Sequence, residues 1–322
     1  MKKMNKRVIS RLGLISCLLS VVVLLFSGCS TKESKNGTTI CCTIFPIYDW
    51  VSEACAGCDD IEVILLEDTG TDMHSFQPAV KDLVTIDDCD IFIYVGGESE
   101  AWAEEYVEKN PSKKGRVNIS LMDAIKDDVL VESDEGIVGA LEEEEEDEEN
   151  DEHIWLSLKR SEKCVNIIAD EIIKKAPDDS DKITSNVLSY TKKLEDLDKE
   201  YSDYFSSANR TLVIADRFPF RYMAEDYSIK YFAALPGCSA EAYSSFDMII
   251  SLAKEYAASD ESVIYITESG DEEFAENVIS ESGKSGSVKM IDSIQSVSRE
   301  AINNGASYYD YMKKNLEVLK SN

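Results

Sequence analysis

Two histidines, His74 and His153, stand in 322 residues. They lie 79 positions apart, which excludes the His-Glu-x-x-His pair that a helix-borne zinc hydrolase presents. Basic residues are also scarce, with 33 lysines and arginines against 63 aspartates and glutamates. At a net charge of −30, nucleic acid and anionic lipid headgroups are excluded as partners, because both select positive surfaces. A cation suits such a chain better. Glycine and proline are missing from Asp181 to Ala208. The apolar run from Leu12 to Phe26 is short of the about 20 residues that a membrane-spanning helix needs.

That run follows a basic region containing Lys2, Lys3, Lys6, Arg7 and Arg11, and precedes Ser27-Gly28-Cys29. The pattern is that of a secretory signal over residues 1–28 with a small-residue cleavage site. Leu25-Phe26-Ser27-Gly28-Cys29 resembles a bacterial lipobox, with Cys29 as the lipidated residue and residues 29–37 as a flexible tether to the cell membrane. Removing the leader takes five basic residues and no acidic ones, so the mature balance is −35. Seven cysteines remain besides Cys29, an odd count that leaves at least one thiol unpaired in a single chain. Cys55-Ala56-Gly57-Cys58 has redox-motif spacing, but it closes a helix-like stretch. A reactive thiol gains its low pKa at a helix N-terminus, so buried thiols or an ordinary disulfide are expected.

Apolar runs at Thr38–Ile44, Ile61–Leu66, Asp90–Val95 and Val117–Ser120 read as strands and alternate with helical spacings. That alternation predicts an α/β fold with a mainly parallel sheet and helices on both faces. His74 falls on the loop after the second strand, where open α/β sheets bind ligands. Ten of the eleven residues from Glu142 to Glu152 are acidic. Such a run repels itself, which predicts a disordered loop over about 132–151 able to collect cations weakly. It runs straight into His153. From Asp181 to Ala208, Ile183, Val187, Tyr190, Leu194, Leu197, Tyr201 and Tyr204 recur at three- and four-residue steps, predicting one helix of roughly 40 Å. Strands follow at Thr211–Ala215, Val263–Glu268 and Val288–Ile294.

Three stretches in order, Thr43-Ile44-Phe45-Pro46-Ile47-Tyr48-Asp49-Trp50, Asp72-Met73-His74-Ser75-Phe76-Gln77-Pro78 and Glu152-His153-Ile154-Trp155-Leu156-Ser157, resemble the zinc/manganese solute-binding lipoproteins of bacterial ABC importers. The resemblance runs from about Thr38 to Asn322. It implies two α/β lobes, 38–178 and 209–322, joined by a rigid helix over 179–208, with a metal in the cleft. It implies His74, His153 and Asp292 as ligands of Zn2+ or Mn2+. The third family ligand, a histidine or glutamate five residues before the tyrosine matched by Tyr222, corresponds to Arg217. Guanidinium cannot ligate a metal, so Asp216 is the substitute if the strand end shifts by one residue. Arg217 otherwise pairs with a carboxylate. Glu241 is a candidate to hold Arg217 or the site, and Glu268 to orient a ligand. Zinc-selective relatives often carry a histidine-rich loop before the second histidine, whereas this loop has none.

The resemblance further implies a monomeric, non-enzymatic protein that delivers its ion to an ABC permease. Three alternatives remain at this point. One is a surface zinc hydrolase, which would need an open coordination position and a general base. Another is an adhesin, which the absence of low-complexity repeats does not exclude. The last is a degenerate binder altered by Arg217.

Overall fold

The structure, a computed structural model, describes residues 37–111, 115–138, 149–208, 210–238 and 245–321. The lipobox Cys29, the tether, most of the acidic run and Glu241 lie outside them. Residues from Thr38 onward form one compact unit.

Two four-stranded parallel sheets make two lobes. The first contains β1 (Thr38–Cys42), β2 (Ile61–Leu65), β3 (Ile91–Tyr94) and β4 (Val117–Ser120) in the order β2-β1-β3-β4. The second contains β5 (Thr211–Phe218), β6 (Lys230–Pro236), β7 (Val263–Ile266) and β8 (Ser287–Met290) in the order β6-β5-β7-β8. The lobes thus repeat one winding. In each the chain moves to one side of its first strand and then jumps to the other, which opens a crevice at the strands' C-terminal ends. β3 is buried along its whole length, as expected of a central strand covered on both faces.

The strand expected over Thr211–Ala215 extends to Phe218 and carries an irregularity: Ile214 pairs with Ala233, but Arg217 pairs with Leu235. Three steps of β5 therefore span two of β6. Such a bulge redirects the side chains that follow it, here Asp216 and Arg217. The last strand is shorter than expected and ends at Met290, so Asp292 lies in the turn beyond it. The first helix, α1 (Phe45–Ala54), carries Pro46 in its first turn, where the missing N–H is tolerated.

The long helix runs from Ser180 to Ser207. Its buried stripe is Ile183, Val187, Tyr190, Thr191, Leu194, Leu197, Tyr201 and Phe205. The N-terminal half serves the first lobe: the Asn186 amide donates to the carbonyls of Ala54 and Ala56, both at 3.0 Å. The C-terminal half serves the second lobe. The hydroxyls of Tyr201 and Tyr204 donate to the carbonyls of Met312 and Leu319, at 2.7 and 2.8 Å, on the C-terminal helix Tyr308–Lys320. One rigid rod is thus bonded to both lobes. Asp49 of α1 joins the same system, accepting from the Tyr308 N–H at 3.0 Å and the Tyr190 hydroxyl at 3.4 Å.

Further ties cross directly between lobes. Arg299 donates to the Asp68 carboxylate, the Trp155 indole to the Ser293 carbonyl at 2.8 Å, and the Tyr222 hydroxyl to the Asp151 carbonyl at 2.6 Å. Residues 136–138 also bond to Ala233 on β6, with Val138 N–H donating and Gly136 carbonyl accepting, both at 2.9 Å. Among the described residues no helix is long and apolar enough to cross a membrane.

Leu197 is fully buried on the connecting helix, whereas Leu188 is 66% exposed. Leu197→Ala is expected to destabilise the metal-free protein by about 2–5 kcal/mol, and Leu188→Ala to stay within about 0.5 kcal/mol. Urea unfolding followed by circular dichroism measures both.

Candidate metal centre

The same three-residue device presents both histidines. In Asp72-Met73-His74 the Asp72 Oδ1 accepts from the His74 backbone N–H at 3.0 Å and contacts its Nδ1 at 2.7 Å. In Asp151-Glu152-His153 the Asp151 Oδ1 accepts from the His153 N–H at 2.8 Å and contacts its Nδ1 at 3.0 Å. Each histidine opens or enters a short 3-10 turn, Met73–Ser75 or Ile154–Leu156. A carboxylate beside Nδ1 fixes the proton there and leaves the Nε2 lone pair available. Both Nε2 atoms are buried and have no partner. The two rings face each other, centroids 5.3 Å apart and tilted by 30°. Leaving a buried polar atom unmade costs about 1–3 kcal/mol, so two such atoms together fit an absent cation. Burial pulls the His153 pKa down, but the negative charge of Asp151 beside it prevails and the net shift is upward.

Carboxylates surround this pair. Glu152 Oε1 accepts from the Ser99 N–H at 2.7 Å, while its Oε2 is buried without a partner. Gly97 makes room for it: with φ at +85°, an added Cβ would come within 2.5 Å of Glu152 Oε1. Glu100 is fully buried, its Oε2 accepting from the N–H groups of Val95 and Gly96. Burial pushes its pKa up to about 7. Glu67 is likewise raised by burial and then by the charge of Glu100.

Cys238 approaches from the loop after β6. Its sulfur is 4.0 Å from His153 Nδ1. Donor atoms of His74, Glu152 and Cys238 all lie within 4.8 Å of one another, as do those of Asp151, His153 and Cys238. Cys238 is thus common to both groups. All seven cysteines of the described chain are free, Cys55 and Cys58 included.

The structure brings His74 and His153 together but places the second-lobe candidates differently from expectation. Asp216 does not reach the histidines. The bulge turns its Oδ2 to the Thr267 N–H at 3.1 Å and to the Thr267 hydroxyl, across the ends of β5 and β7. Arg217 points instead to Asp72, its Nη2 bonding Oδ2 at 2.5 Å. Asp292 does not join a ligand group with the histidines among the described residues. Its Oδ1 accepts from the Ile294 N–H at 2.8 Å, in a turn where Ile294 has φ of +62°. Glu268 pins that turn from the other side by accepting from the Ser293 N–H and hydroxyl. Burial, then the nearby Glu268 charge, raises the Asp292 pKa to about 7.

Asp72 and Asp151 carry orienting roles that were not assigned from sequence, although the repeated Asp-x-His spacing is a signal that finds them. Glu152 follows from the same repeat. Gln295, which donates to Asp72 Oδ2 at 3.2 Å, and Cys238 have no comparable signal.

Two parallel-sheet lobes bonded to one rigid helix, with imidazoles buried between them, define a two-lobed solute-binding protein of the rigid-helix class. The family model described as "Zinc-uptake complex component A periplasmic" matches residues 40–322, and the chain belongs to that family. The zinc-binding lipoprotein AdcA of Streptococcus pneumoniae is 29% identical over 310 residues, covering 95% of this chain and 60% of AdcA. This chain therefore spans about three-fifths of that relative. The high-affinity zinc uptake system protein ZnuA of Bacillus subtilis is 27% identical over 320 residues, covering 94% and 95% of the two chains. The crystal structure of the Zn(II)-bound ZnuA-like domain of S. pneumoniae AdcA superposes with a TM-score of 0.70 at 27% identity, covering 88% of this chain and 98% of that one.

Asp49, Glu100 and Asp292 each hold a proton up to about pH 7 in the folded state, raised mainly by burial. In the unfolded chain such carboxyls release it near pH 4. The folded state therefore binds more protons between those values, and the stability this confers below about pH 4 is lost as pH rises through about 7. The raised His153 acts in the same direction. Metal-free protein is expected to melt at a higher temperature at pH 5 than at pH 8. Calorimetric melts of chelator-stripped protein test this, and Asp49→Asn is expected to shrink the difference.

Proposed function

We propose that this protein captures Zn2+ or Mn2+ outside the cell membrane, held there by lipid on Cys29, and hands it as a monomer to an ABC permease. His74 and His153 are the two nitrogen donors, and the adjoining Glu152 offers a carboxylate oxygen. Asp72 and Asp151 hold the imidazoles in the ligating tautomer. No bond of the cargo is made or broken beyond coordination, so the protein is a carrier rather than an enzyme. Residues 38–178 and 209–322 act as the two lobes about the helix 179–208, and their relative motion is small because that helix is bonded to both. The acidic run Glu142–Glu152, which leads in sequence straight into His153, attracts cations weakly and raises their local concentration. In the second lobe, Glu268 holds the turn that carries Asp292.

The observation that carries this reading is the pair of buried Nε2 atoms without partners. It is supported by membership of a family described as the zinc-uptake component and by the relatives' names as zinc-binding proteins.

Calorimetry on chelator-stripped protein is expected to show one Zn2+ per chain. His74→Ala and His153→Ala are each expected to weaken binding at least about 100-fold. Asp72→Asn and Asp151→Asn are expected to weaken it about 10–100-fold through lost orientation. Unchanged affinity in the double histidine variant would sink the assignment. Loss of zinc or manganese uptake in cells carrying that variant checks the transport role.

A further inference from the structure

Among the described residues, the second-lobe candidates Asp216 and Asp292 form no ligand group with the histidines. Arg217 is a cation committed to Asp72, Asp216 is bonded to Thr267, and Asp292 is turned into its own loop. Among the described residues, one second-lobe side chain with a metal-binding atom, Cys238, reaches the histidines. Cys238 follows β6, and Gly237 before it lets the loop close on the first lobe. A Cβ at Gly237 would meet the Phe218 carbonyl oxygen at 2.7 Å and His153 Cε1 at 3.3 Å. The Cys238 N–H is fixed by Glu132 Oε1 at 3.1 Å, which tethers the sulfur's backbone to the segment leading toward the acidic run.

From these positions we infer that Cys238 is a metal ligand, completing with His74, His153 and Glu152 a mixed nitrogen, oxygen and sulfur site. Three buried side-chain atoms near it have no hydrogen-bond partner: His74 Nε2, His153 Nε2 and Glu152 Oε2. His74, Glu152 and Cys238 donors lie within 4.8 Å of one another, while the donors of a tetrahedral zinc stand roughly 3.5 Å apart. On binding, the thiol releases its proton to solvent and the sulfur donates a lone pair to the ion.

The consequence is selectivity. Carboxylate and carbonyl sites accept Mn2+, whereas thiolate is a soft donor that favours Zn2+. Cys238 thus makes the site a zinc site. This inference rests on the metal-capture reading above and narrows it.

X-ray absorption at the zinc edge on the stripped and reloaded wild-type chain tests it directly. A sulfur scatterer at about 2.3 Å is expected. Cobalt substitution gives a second readout: wild type is expected to show a thiolate-to-cobalt charge-transfer band in the near ultraviolet, and Cys238→Ser to lose it while still binding cobalt. In competition titrations Cys238→Ser is expected to lower zinc affinity about 10–100-fold and leave manganese affinity within about threefold, so the zinc-to-manganese preference falls. Zinc bound with nitrogen and oxygen neighbours only, or undiminished zinc affinity in Cys238→Ser, overturns the thiolate and leaves the capture reading standing. Failure of the wild type to bind zinc at all overturns both.

Discussion

One carboxylate holds the two lobes in register around the site. Asp72 accepts from the His74 N–H and Nδ1 within its own lobe, and from Arg217 and Gln295 in the other. Burial alone would raise its pKa, but the His74 and Arg217 hydrogen bonds and the Arg217 charge hold it well below the usual carboxylate range. It therefore stays ionised wherever the protein is folded. An ionised Asp72 is what fixes the His74 tautomer, and Arg217 is what keeps that charge stable in a partly buried place. The arginine is the departure from the family pattern that most threatens a metal site. Here it supports the orientation of a histidine in place of ligating.

The rest of the site follows from the same economy of donors. With only two histidines, the chain repeats Asp-x-His to present each one, and the two rings lie 5.3 Å apart with both Nε2 atoms unpartnered. The carboxylates behind them are buried in ways that favour protonation, as Glu67 and Glu100 illustrate. The surroundings are negative without being a wall of fixed charge, which suits an ion that must also leave. The connecting helix, bonded to α1 through Asn186 and to the C-terminal helix through Tyr201 and Tyr204, limits how far the lobes can part.

Much of the fold was legible in the residues. β3 and β7 are continuous apolar runs, and the helix Ser180–Ser207 is announced by an apolar stripe without glycine or proline. His74 and His153 stood out by rarity and by their motifs. What the residues concealed was the second lobe. Nothing in Thr211–Phe218 declares that three steps of β5 will span two of β6, yet that bulge sends Asp216 to Thr267 and Arg217 to Asp72. Asp292 was read as a ligand from the family resemblance, and its Oδ1 accepts from the Ile294 N–H in the left-handed turn that follows. Cys238 was counted only as one of seven cysteines. Its nearness to His153 depends on Gly237 and on residues distant in sequence, and no local pattern encodes that.

The central claim is that the two unpartnered imidazole nitrogens exist to hold one ion. Anomalous diffraction at the zinc edge, from crystals of stripped protein reloaded with one equivalent of zinc, tests it most directly. The account predicts a single strong peak bonded to His74 Nε2 and His153 Nε2. A peak elsewhere, or an ion bound without either histidine, would contradict it.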